Sequence, residues 1–163
     1  MNAITVEYSA VIDAAPQTIY AILRDYDGGH RAILPKPYFQ SMDIEAGGVG
    51  AGTVLNLTVN IYGQSYHYHQ VVSEPEPGRI LMEKDMDTGQ WSRFVIDPLE
   101  EGRRSRVTIE SEFPATRGLM GWLQRWTLPP VARRIYAEEL AQLAAYVRGD
   151  LNVSAKQSKA AHA

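Results

Sequence analysis

The chain has 163 residues, no cysteine and a formal net charge of -3, with a pI near 5.8. That length fits one domain able to bury a full core. The missing thiols exclude a disulfide framework, thiolate metal sites and a cysteine nucleophile, and the mild acidity argues against a nucleic-acid partner. No stretch approaches the roughly 18–20 apolar residues of a membrane span. The opening "MNAITVEYSAVIDA" lacks the basic start and long apolar run of a secretory signal. A cytoplasmic protein without stable membrane insertion is therefore expected, and the glycosylation-type triplets at Asn56 and Asn152 carry little weight.

Residues 4–12 alternate and are β-branched, which predicts a strand. Asp13 as a cap and Pro16 near the start then introduce a helix whose stripe is Ile19, Ile22, Leu23 and Tyr26. It stops at "DGGH", and a helical turn through "HRAIL" follows, ending before Pro35 and Pro37. From about residue 38 the apolar period changes to two. Six strands are predicted, at 38–46, 53–62, 65–73, 79–87, 90–97 and 105–113. The breaks between them are too short for parallel crossovers, so an antiparallel meander is expected. The last element is long: Leu119, Trp122, Leu123 and Trp126 form one helical stripe, and Tyr136, Leu140, Leu143 and Val147 another. Pro129 and Pro130 predict a kink or break near residue 128, and Gly149 ends the helix. Residues 149–163 are small and polar and are expected to be disordered. The class is α+β: a curved seven-stranded antiparallel sheet with the long C-terminal helix covering its inner face and a cavity between them.

Several stretches, "VIDAAPQTIYAILRDYDGGHRAILP", "GGVGAGTVLNLTV", "VSEPEPGRIL", "FVIDPLEEGRRSRVTIESEF" and "IYAEELAQLAAYV", together with this element order, resemble the helix-grip fold of the START-like (SRPBCC) superfamily, in its polyketide cyclase/dehydrase branch. The resemblance covers about residues 4–148 and makes residues 1–148 one START-like domain. It implies a hydrophobic cavity for a lipid, polyketide or similar small molecule. It brings no fixed catalytic motif to carry onto this chain.

Among the candidate sites, "GGVGAGT" (47–53) lacks the Gly-Lys-Ser/Thr ending of a phosphate loop and precedes a strand, so a turn or bulge is expected. His67 and His69, two apart on a strand, suggest a metal pair. Their facing can be read from strand pairing. In 53–62 the odd residues Leu55, Leu57, Val59 and Ile61 are apolar. A type II′ turn at Gly63-Gln64 pairs Ile61 with Tyr66 and Val59 with Tyr68, which turns both tyrosines inward and both histidines outward. The histidines could still meet Glu83 or Asp85 on the next strand, but zinc requires three or four converging ligands, and neither a metal nor another cofactor is expected.

Tyr66 and Tyr68 are thus the candidate cavity polar groups, with Met82, Phe94, Ile109, Trp122, Trp126 and Tyr136 as apolar or aromatic wall. Met86 joins Met82 as adaptable wall. Arg93 points outward unless the register slips by one. No hydrolytic triad is legible around the serines.

Two functions follow. The first is binding, transport or sequestration of a hydrophobic small molecule whose polar end is oriented by the tyrosines. The second is a cyclase or dehydratase in which Tyr66 and Tyr68 act as proton donors. No base is evident for the second, since a free phenol ionises only near pH ~10. The oligomeric state is not legible.

Overall fold

The computed structural model describes residues 3–151. Its element order is β1 (Ala3–Ile12), α1 (Pro16–Arg24), α2 (Gly29–Ile33), β2 (Phe39–Ala46), β3 (Val54–Ile61), β4 (Gln64–Glu76), β5 (Ile80–Asp85), β6 (Trp91–Leu99), β7 (Arg104–Pro114) and α3 (Gly118–Val147). All seven strands pair antiparallel in the order β1-β7-β6-β5-β4-β3-β2. This is the helix-grip arrangement, a meander whose first strand closes against its last. Register shifts in β2 and near the end of β4 mark bulges, which bend strands and add twist. The disorder expected of the tail falls, from residue 152 onward, outside the described residues.

One face of the sheet carries the core. Val6 and Ile12 of β1, Phe94 and Ile96 of β6, and Val107 and Ile109 of β7 are all buried. Phe94 pairs with Ile109 and Ile96 with Val107 across β6 and β7, so each pair shares the inner face. Helix α1 adds Ile19, Tyr20 and Leu23 to the core, each such side chain contributing about 1.5–3 kcal/mol relative to exposure. The C-terminal half of α3 contributes Ile135, Tyr136, Leu140 and Leu143.

Four local expectations change. Asp13 does not cap α1: Ala15 stands at the N-cap without a side-chain bond, and Asp13 lies 3.5 Å from Arg104. Helix α3 is not broken at Pro129 and Pro130 but runs through both. Each proline removes one N–H that would reach back a turn, and the buried Ala132, Ile135 and Tyr136 just beyond them anchor the helix on the core. The β3–β4 turn is Tyr62-Gly63, with φ of 51° and 84°, the positive pair that a type I′ turn requires. Tyr66 therefore pairs with Val59 and Tyr68 with Leu57. The displacement from the expected pairing is two residues, and a two-residue shift leaves every side chain on its original face. Finally, Glu83 and Asp85 are buried on the inner face and cannot join outward histidines.

The glycine-rich segment is a structural loop. Gly50 has φ of 66°, and its N–H donates to the Arg24 carbonyl at the end of α1. A Cβ there would overlap the Arg24 guanidinium and lie 2.7 Å from Glu74. Only glycine suits both the backbone and the space. Burial alone would raise the Glu74 carboxyl, but bonds from Tyr20, the Ala51 N–H and Arg24 outweigh it and hold the group below its ordinary value.

Candidate functional site

Between the inner face of the sheet and α2 and α3 lies a cavity of about 900 Å³. Its walls are mostly apolar: Leu57 and Val59 from β3, Phe94 from β6, Ile109 from β7, and Leu128 and Ile135 from α3. Tyr66, half exposed, stands at the rim with Tyr62, while Tyr68 lies deeper and half-buried. Burial raises the Tyr68 hydroxyl above the ordinary phenol value, against the bond it makes to Gln90.

The deep end is polar. It is built first by the turn "DYDGGH". The Asp25 carboxylate accepts the N–H groups of Gly28 and Gly29, which closes the chain between α1 and α2. A Cβ on Gly29 would approach the Ile22 carbonyl to 2.8 Å, so glycine lets the two helices meet. His30 is thereby carried into the core, where it is 2% exposed. Its Nδ1 is 2.6 Å from the Leu23 carbonyl, which can only accept, so Nδ1 carries the proton. The ring stacks on Tyr26 at 4.4 Å and meets Phe94 edge-on at 5.4 Å. Nε2 is left facing Glu83 Oε1 at 3.5 Å.

Strand β5 supplies Glu83, whose Oε1 also accepts the Tyr26 hydroxyl at 2.8 Å. Burial, then the charge of Glu83, drive the Tyr26 hydroxyl well up, so it stays a donor. Helix α3 supplies Glu139, buried and without a hydrogen-bond partner among the described residues. Burial first, and the charge of Glu83 second, push its carboxyl up to about 8. At neutral pH Glu139 is therefore mostly a neutral acid. Gln70 completes the end from β4, and its buried Oε1 has no partner among the described residues. Nearby, the Tyr136 hydroxyl donates to Ser111 Oγ at 2.6 Å, and Ser111 contacts Ser92 Oγ at 2.7 Å. Burial holds Tyr136 far above the usual phenol range.

His30, Tyr136, Glu83, Glu139 and Gln70 thus come from four elements to one end of an apolar chamber. The arrangement can hold a polar group by several hydrogen bonds, and it places a mostly protonated carboxyl in the same cavity as the His30 ring, whose Nε2 faces Glu83.

Tyr66, Tyr68, Phe94, Ile109 and Tyr136 all line the cavity. Met82 does not: it pairs with Arg93 on the outer face, because Leu81, Glu83 and Asp85 take the inner positions of β5. Met86 is exposed beyond the strand end. Trp122 and Trp126 are exposed and point away from the chamber, whose wall on this half of α3 is Gln124, Thr127 and Leu128. Arg93 faces outward in an ion pair with Glu110 at 2.6 Å. His69 faces outward, toward Glu45 at 2.9 Å, and His67 contacts Thr58 on the same face while also bordering the cavity. No cluster of three or more ligating side chains occurs among the described residues.

A family model described as "Polyketide cyclase / dehydrase and lipid transport" matches residues 3–148. No curated protein matches. Among solved structures, the KanY protein superposes with a TM-score of 0.78 at 23% identity, over 91% of this chain and 99% of that one. A protein of Thermus thermophilus superposes with a TM-score of 0.74 at 18% identity, over 89% and 97%. The Zhui aromatase/cyclase from Streptomyces sp. R1128 does so with 0.73 at 17% identity, over 90% and 94%. At such identities the superpositions show a common fold.

Proposed function

The chain belongs to the polyketide cyclase/dehydrase and lipid transport family, and from that premise we propose that it binds one hydrophobic small molecule bearing a hydroxyl or phenol at one end. One observation carries this reading: the apolar chamber of about 900 Å³ ends in a single cluster of buried polar groups. That volume falls within the usual ~300–1,000 Å³ of small-molecule sites, whose few polar groups fix orientation. The cluster is rich in acceptors. Glu83 and Gln70 Oε1 both offer lone pairs, so the complementary ligand brings a hydrogen-bond donor. Leaving such a buried acceptor unpaired costs about 1–3 kcal/mol, which a ligand hydroxyl recovers. Protonated Glu139 can donate to the same hydroxyl oxygen. Tyr68 and Tyr66 flank the path from the rim to this end.

Native mass spectrometry of the purified protein, followed by solvent extraction, tests the reading. The expected result is a retained apolar molecule with a hydroxyl group, lost in Glu139→Met, a substitution of similar volume that removes the polar group. A protein that retains no molecule and takes up no added apolar probe contradicts it.

A second reading, a cyclase or dehydratase, is favoured by one specific observation. His30, a residue type able to take a proton, lines the same cavity as Glu139, whose carboxyl is raised to about 8. A shaped chamber that folds a poly-β-keto chain against such a pair is what proton-transfer condensation needs. Turnover of a synthetic poly-β-keto substrate, reduced at least ~100-fold in His30→Gln, would establish it. Binding without turnover leaves the first reading standing alone.

A further inference from the structure

The first third of α3 carries an apolar face that nothing in the fold covers. Leu119 is 78% exposed and Trp126 68%, and Met120, Trp122 and Leu123 are exposed with them. Leu119, Trp122, Leu123 and Trp126 lie at i, i+3, i+4 and i+7, which is one side of a helix. The two indole rings stand 6.3 Å apart. A large rigid aromatic pair held in water on a helix marks an interaction surface rather than ordinary surface scatter.

Two further observations identify the partner. Arg117, Arg125, Arg133 and Arg134 fall between Glu112 and Glu138 with no acidic residue among them, on a chain whose net charge is -3. Only Arg134 makes an ion pair among the described residues, with Glu138 at 3.5 Å. The surface therefore combines tryptophans with uncompensated arginines, which is how a helix lies in a bilayer interface and attracts anionic headgroups. The same turns also supply Gln124, Thr127 and Leu128 to the cavity wall, and Tyr62 and Tyr66 stand on the rim. The apolar face and the chamber opening thus share one end of the molecule.

We propose that the first third of α3 docks this protein on an anionic phospholipid bilayer, with Trp122 and Trp126 in the interface and the cavity mouth turned toward the lipid. Docking is peripheral, since no described helix is long and apolar enough to cross a membrane. The proposal goes beyond ligand binding and stands without it. A mouth facing the bilayer would let an apolar ligand pass between membrane and chamber without crossing water.

The test is co-sedimentation of the protein, without added ligand, with vesicles of phosphatidylcholine and phosphatidylglycerol at 3:1 and of phosphatidylcholine alone. Binding is expected to the mixed vesicles, falling at least tenfold in Trp122→Ser/Trp126→Ser and severalfold in Arg125→Ser/Arg133→Ser. Raising the salt should weaken the wild-type interaction, because the arginine contribution is screened. Both double variants should keep the wild-type circular dichroism and still take up a fluorescent apolar probe, which separates loss of docking from loss of the cavity. Absence of vesicle binding by the folded wild-type protein overturns the proposal, as does undiminished binding by the tryptophan variant. So does a dimer in sedimentation velocity that the tryptophan variant dissolves, because a second copy would then be what covers this face.

Discussion

Glu139 links the proposed site to a pH dependence of stability. Its carboxyl is raised to about 8 by burial and by Glu83, whereas in the unfolded chain it ionises near pH ~4.3. Between those values the folded state holds a proton that the unfolded state has released, so stability falls as pH rises through that window and levels off above it. Glu139→Gln keeps the shape and removes the titration. Urea unfolding across pH 4–9 should show a shallower decline in the variant than in the wild type; parallel curves would mean that Glu139 is solvated in solution. Tyr136→Phe should cost about 1 kcal/mol, by removing the bond to Ser111, and a variant as stable as wild type would show that the bond contributes nothing. Of this polar cluster the sequence pointed only to Tyr136, and to it as aromatic wall. Glu83 and Asp85 occupy inner positions of β5, so their charge made the opposite residues, including Met82, look like the core face. Glu139 does fall on the stripe of Tyr136, Leu140 and Leu143, and an acid on an apolar stripe is a usable signal. For His30 the signal was the Asp-Gly-Gly turn that forces the chain inward.

At the scale of elements, alternation and proline–glycine punctuation made all seven strands and the long helix legible, because each depends on local period. Turn chemistry was less legible. Tyr62 takes a positive φ that tyrosine seldom adopts, and the adjoining glycine drew the turn one residue too far along. Tyr62→Asn, placing a residue tolerant of that conformation, should stabilise the hairpin by about 0.5 kcal/mol, and Gly63→Ala should destabilise it by about 1 kcal/mol. Urea midpoints that move the other way would argue against a type I′ turn. The tryptophan stripe misled for a different reason. On an ideal helix its centre lies roughly 80° from that of the second half's stripe, so the face that packs on the core in the second half leaves most of the first stripe turned aside. Periodicity finds an apolar face without saying what covers it. The start of α3 is fixed by Gly121, where a Cβ would overlap the Thr116 carbonyl. Gly121→Ala should therefore loosen the first turns, seen as faster amide exchange across 118–127 with the strands unchanged.

For the molecule as a whole, the curved sheet and α3 enclose apolar space that His30, Gln70, Glu83 and Glu139 also line, while the exposed Tyr62 and Tyr66 border it. On the proposed function such a layout would orient a ligand lengthwise: the apolar body contributes affinity by burial, and the polar cluster decides which end goes in. The most direct test is calorimetric titration with two ligands alike except for one donor, 1-naphthol and 1-methoxynaphthalene, on the wild-type protein and on Gln70→Met, which removes the unpartnered acceptor Oε1. The predicted result is tighter binding of the naphthol by about tenfold, the equivalent of one hydrogen bond worth ~1.4 kcal/mol, with the preference reduced in the variant. Equal affinity of the wild-type protein for both compounds would contradict the account.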